Sequence, residues 1–128
     1  MNVMLDTCAL LWLAAGDAKL SEQARNCIDE AGVAFVSVIS GFEVALKARR
    51  NKLKLPAQAD EWFKAIAKHH GLEVVPLNMD DALKAPLLPT IHRDPCDRFI
   101  IAQAIRLNVP VVTGDDTFSA YGIAVVTT

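Results

Sequence analysis

At 128 residues the chain has the length of one domain, and a domain of this size buries about two thirds of its unfolded surface on folding. Hydrophobic residues make up 52% and charged residues 22%, a balance that excludes a disordered chain, and no apolar run reaches the roughly eighteen residues a membrane span needs. The net charge of −2 gives no global attraction for nucleic acid, so any such binding has to be local.

In chain order, residues 2–5 read as a first strand. The apolar stretch 9–15 ends in small residues, as a signal peptide would, but it lacks a basic start and Asp6 precedes it, so a cytoplasmic protein is expected. A helix over 20–31 is closed by Gly32, and 33–38 reads as a second strand. Residues 42–51 read as a helix with Phe42, Ala45 and Leu46 apolar. Its end carries the basic run Lys47, Arg49, Arg50, Lys52 and Lys54. The run is dense enough to contact an RNA backbone, and equally able to complement a helix macrodipole.

Pro56 precedes a helix over 57–70 with Trp62, Phe63 and Ile66 on one face and Gly71 as its stop. A strand over 72–75 and a short helix over 79–85 follow. Asp94-Pro95 opens a strong helix through Leu107, and strands over 110–113 and 123–126 complete the chain. The strands are mostly continuous apolar runs, expected where both sheet faces are covered. The reading is a single α/β domain over 1–128, an α/β/α sandwich around a central, mostly parallel five-stranded sheet with right-handed crossovers.

In such a sheet, helix N-termini and strand C-termini share one edge, where ligands bind. Asp6 follows the first strand, Asp115 the fourth, and Glu43 and Asp97 are read in the first turns of helices, so the carboxylates converge on one rim. Like charges so close repel unless a cation lies among them. Carboxylates select hard ions such as Mg²⁺ or Mn²⁺, and no His or Cys cluster points to zinc. The odd cysteine count, Cys8, Cys27 and Cys96, suggests reduced thiols.

Each acid also has an ordinary reading. Ser40 with Glu43 matches a capping box, and Glu43 with Lys47 is a stabilising pair one turn apart. Asp94 reads as an N-cap, Asp97 as a first-turn charge, and Asp115-Asp116 as turn residues. Asp6 is the best single candidate, because an unpaired carboxylate at the end of a buried strand is costly. His69 and His70 read as partners of a helix C-terminus; His92, in the loop before Asp94, has no matched nucleophile to form a triad. Ser37, Ser40 and Thr113 fit as hydroxyls that orient carboxylates.

Together these segments resemble the PIN-domain ribonucleases, in particular the VapC-type toxins of bacterial toxin–antitoxin pairs. The resemblance covers essentially the whole chain. It is carried by Leu5-Asp6-Thr7 with Ala9-Leu10-Leu11-Trp12, SVISGFEVALK (37–47), HRDPCDRFIIAQA (92–104) and TGDDTF (113–118). It implies catalytic acids at Asp6, Glu43, Asp97 and Asp115, with Mg²⁺ or Mn²⁺ held chiefly by Asp6 and Asp97. Thr7, Asp94, Arg98 and Thr113 then look like supporting residues. Asp116 is an extra acid that could share the fourth role, and Cys96 stands where an aromatic is usual. The resemblance further implies an RNA substrate, tRNA or rRNA, a cognate antitoxin, a homodimer and no membrane. Two rivals are a receiver-like signalling module, for which 74–77 and 125–127 lack the acceptor Asp and the Lys, and a structure-specific DNA nuclease, for whose duplex-binding additions the chain has little room.

Overall fold

The computed structural model describes residues 1–128. Its elements in order are β1 (Val3–Leu5), α1 (Thr7–Ala15), α2 (Glu22–Asp29), β2 (Ala34–Ser37), α3 (Val38–Arg49), α4 (Ala59–His69), β3 (Leu72–Val75), α5 (Met79–Lys84), α6 (Pro95–Leu107), β4 (Val111–Thr113) and β5 (Val125–Thr127). Short 3₁₀ turns occupy Ala85–Leu87 and Asp116–Tyr121. The five strands form one sheet in the order β3-β2-β1-β4-β5, and every pairing is parallel. Alternation along β1 shows why both sheet faces are covered. Val3 and Leu5 join the core under α1, α2 and α4, whereas Met4 joins the core under α6.

The expected sheet and five expected helices are present, with ends shifted by a few residues. One helix is added. α1 has Asp6 as its N-cap and closes at Gly16, whose φ of 63° suits a residue without Cβ. Sequence periodicity missed α1 because it has no polar stripe: Ala9, Leu10 and Leu13 are buried, and Leu11, Trp12 and Ala14 are half-buried.

α3 corrects a second expectation. It begins at Val38 rather than near Phe42, because the Ser37 hydroxyl caps it by accepting the Ile39 N–H at 3.0 Å. Ser40 is therefore a fully buried helical residue and no capping box forms with Glu43, which lies in the second turn instead of the first.

The chain reverses its direction of travel across the sheet at β1. From there it moves outward to β2 and β3, then returns past β1 to β4 and β5. A crevice between the carboxyl ends of β1 and β4 follows from that reversal. Its floor is stiffened by Phe118, which is fully buried in the core under α6 and packs edge-on against the His92 ring at 5.8 Å. Replacing Phe118 with alanine leaves a cavity beneath the 3₁₀ turn, and a loss of about 3–5 kcal/mol is expected. Urea denaturation of the two proteins checks it; a loss below about 1 kcal/mol would mean that the turn packs independently of the core.

Candidate active site

The crevice is a cleft of about 680 Å³ lined by Asp6, Glu43, Asp94, Asp97, Asp115 and Asp116, together with Thr7, Lys47 and Trp12. Each acid arrives by a separate local device. Asp6 ends β1, and its Oδ1 accepts the Ala9 N–H at 2.8 Å. Asp94 caps α6 by accepting the Cys96 N–H at 2.9 Å, and Asp97 follows in the first turn. Asp115 caps the turn after β4, where its Oδ1 accepts both the N–H and the hydroxyl of Thr117, at 3.0 and 2.7 Å. Glu43 reaches in from α3, and the Thr7 hydroxyl donates to its Oε1 at 2.6 Å while lying 2.9 Å from the Ser40 hydroxyl. Thr113 is buried, and its hydroxyl accepts the Asp115 N–H at 3.0 Å.

Burial and mutual repulsion distort the ionisation of this group. Burial, then the charge of Asp94, pushes Asp97 up to about 7, with His92 acting against the rise. Burial is also the largest cause of the raised Asp6 and Glu43, each only partly offset by hydrogen bonds from Thr113 or Thr7. Asp115 differs. Burial raises it, but Thr117 and His92 overcome that and hold it below the ordinary carboxylate range.

The donor set fits a hard divalent cation. Oxygen ligands dominate the lining, and the Cys8 thiol beside them is pushed up by burial and by Asp6, away from the thiolate that zinc would select. Asp97 and Glu43 each keep an oxygen free of protein partners, Oδ1 and Oε2. Ligand-type atoms, one each from His92, Asp97 and Asp115, lie within 4.8 Å of one another.

The structure brings Asp6, Glu43, Asp97 and Asp115 together, with Thr7, Thr113 and the exposed Asp94 and Asp116 at the margin. Of the basic run only Lys47 lines the cleft; Arg49, Arg50, Lys52 and Lys54 lie exposed at and beyond the end of α3. The Arg98 guanidinium donates to main-chain carbonyls in 85–92 instead of facing the cleft. His92 stands out in the sequence without an assigned partner, and Tyr121 has no signature there. His92 Nε2 lies 2.8 Å from Asp115 Oδ2 and 2.9 Å from Asp97 Oδ2, and Tyr121 anchors the His92 main chain. Thr117 was legible in principle, since Asp-x-Thr favours the side-chain turn it makes.

Fold and cleft together define an α/β protein with a carboxylate-lined, cation-receptive site at the switch point of a parallel sheet. The chain belongs to the PIN domain family, whose model matches residues 3–124. It is 32% identical over 115 residues to ribonuclease VapC22 of Mycobacterium tuberculosis, covering 89% of this chain and 87% of that one. Its fold is similar to the crystal structure of VapBC2 from Rickettsia felis bound to a promoter DNA fragment, with a TM-score of 0.73, 16% identity and coverage of 99% and 98% of the two chains. It is also similar to a toxin–antitoxin complex from Klebsiella pneumoniae, with a TM-score of 0.68, 20% identity and coverage of 98% and 96%. Family membership removes the receiver-like reading.

The raised Asp97 gives a signed pH dependence. Between about pH 4 and pH 7 the folded, metal-free protein holds a proton that the unfolded chain has released, so stability falls as pH rises through that window. Asp97→Asn removes the charge and its share of the slope, and it should melt higher than the parent in chelator at pH 7.5. Thermal scans in chelator across the window test this. An unchanged slope with a lower melting temperature would make Asp97 a helix-end residue only.

Proposed function

We propose that the chain is a metal-dependent endoribonuclease, the toxin of a bacterial toxin–antitoxin pair, built as one nuclease domain over 1–128 and acting in the cytoplasm. The observation that carries this reading is the convergence of Asp6, Glu43, Asp97 and Asp115 in one cleft. The relationship to ribonuclease VapC22 supports RNA as the substrate. The toxin–antitoxin complexes that share the fold support a cognate antitoxin as partner. A homodimer is part of the same reading, and no helix is long and apolar enough to cross a membrane.

Asp6 and Asp97 would hold the ion, Mg²⁺ or Mn²⁺, with Glu43 and Asp115 completing the set. When bound, such an ion supplies a hydroxide-like nucleophile at neutral pH and offsets the charge that builds on the phosphate. The remaining work belongs to the chain. Ala9 N–H fixes the Asp6 carboxylate, Thr7 fixes Glu43, and Thr117 fixes Asp115. A phosphodiester entering the cleft meets the Lys47 ammonium at its edge. Arg49, Arg50, Lys52 and Lys54 extend this positive strip along the RNA backbone, away from the carboxylates.

Purified protein should cut single-stranded or looped RNA with Mg²⁺ or Mn²⁺ and stop when the metal is chelated. Asp6→Asn should lower the single-turnover rate by a factor of at least about 100, roughly 2.7 kcal/mol of transition-state stabilisation, while remaining folded. Full activity in chelator, or in the Asp6→Asn protein, would move the chemistry elsewhere. Neutralising Arg49, Arg50, Lys52 and Lys54 together should weaken RNA binding and flatten its dependence on salt, because fewer counterions are released. Titrations at a series of salt concentrations measure that slope, and an unchanged slope would make the strip a solvated helix end.

A further inference from the structure

Resting on that metal-site reading, we propose that His92 is a positioning residue, locked in place by Arg98 and Tyr121, that donates from Nε2 to hold Asp115 beside Asp97. The lock is unusually complete for a loop. Arg98 Nη1 donates to the Pro89 and His92 carbonyls at 2.9 and 3.0 Å, and Nη2 donates to those of Ala85 and Leu88 at 2.8 and 2.7 Å. Tyr121 Oη accepts the His92 N–H at 2.7 Å and donates to the Pro89 carbonyl at 2.8 Å. The guanidinium is thereby committed to holding the segment from Ala85 to His92, and its charge serves the fold rather than the substrate.

The ring's own contacts assign its tautomer. His92 Nδ1 accepts the Asp94 N–H at 3.2 Å, so Nδ1 carries no proton and Nε2 carries one. That proton points at Asp115 Oδ2, 2.8 Å away in hydrogen-bond geometry, with Asp97 Oδ2 at 2.9 Å from the same nitrogen. Ligation of a metal through Nε2 would move the proton to Nδ1, where it would meet the Asp94 N–H donor against donor. His92 is therefore a donor to Asp115 and not a member of the ligand set, although its ring nitrogen lies within ligand range of both acids.

The consequence is a division of carboxylate oxygens. Asp115 is oriented at both oxygens, Oδ1 by two bonds from Thr117 and Oδ2 by one from His92, so Oδ2 keeps a lone pair with which to complete the set. Asp97 Oδ2 lies 2.9 Å from the same nitrogen, and Asp97 Oδ1 is left for a cation. Hydrogen bonds of this kind around metal ligands are worth about 10–100-fold in metal affinity or activity.

The test is Mn²⁺ calorimetry on the full chain with nitrogen NMR of the histidine rings in metal-free protein. His92→Ala should weaken Mn²⁺ binding by about 10–100-fold. Tyr121→Phe, which leaves every carboxylate intact, should weaken it by about tenfold. The double variant should bind no more weakly than His92→Ala alone, because Tyr121 acts through His92. His92→Gln, which retains an N–H donor, should recover part of the loss. Equal or tighter binding by His92→Ala, additive losses in the double variant, or an Nδ1–H signal for His92 would each overturn the proposal. Failure of the parent to bind Mn²⁺ would overturn the metal-site reading itself, and this proposal with it.

Discussion

Repulsion among carboxylates that share a half-buried cleft is the constraint around which this molecule is built. Asp6, Glu43 and Asp97 are each pushed towards their protonated forms by burial first and then by neighbouring carboxylates, Asp115 for Asp6 and Asp94 for Glu43 and Asp97. A chain free to relax would turn these side chains out to solvent. It cannot, because Asp6, Asp115 and Glu43 are tied to the main chain or to a fixed hydroxyl and Asp97 is carried in the first turn of α6: Asp6 caps α1, Asp115 caps the turn after β4, and Thr7 holds Glu43. Capping hydrogen bonds of about 1 kcal/mol apiece fix the geometry, while the remaining oxygens carry the unfavourable charge. A carboxylate has two oxygens, so structural cap and site residue are compatible roles for the same side chain.

The same logic explains why a chain of net charge −2 can serve as a nucleic-acid enzyme. Five of the thirteen Lys and Arg residues fall at and just beyond the end of α3, where Lys47 reaches the cleft and the following cations lead away from it. α3 therefore contributes to both halves of the site, an acid in its second turn and a base in its last. The reversal of strand order at β1 sets these groups against Asp6 and Asp115, and Phe118 holds the floor beneath them.

Much of this was legible before any coordinates. Parallel strands show as unbroken apolar runs, and Asp94-Pro95 and Gly71 mark helix ends by simple steric rules, so the sheet and most helices follow from pattern. α1 did not, because a helix packed on several sides loses its amphipathic period and its run CALLWLAA reads as generic apolar sequence. The start of α3 was misplaced because Ser37 and Ser40 are both plausible caps, and only tertiary burial of Ser40 against Thr7 decides between them. The acidic residues were readable because topology alone sends them to one rim. His92 was noticed but not placed: its position depends on Arg98 and Tyr121, contacts 6 and 29 residues away that no local pattern records.

The central claim is that the cleft binds a divalent cation through Asp6 and Asp97. The most direct measurement is anomalous X-ray diffraction from crystals grown with Mn²⁺, which locates the ion independently of any activity. The account predicts a strong manganese peak in the cleft lined by Asp6 and Asp97, absent from crystals of Asp97→Asn. A peak coordinated elsewhere on the chain, or none at millimolar Mn²⁺, would contradict it.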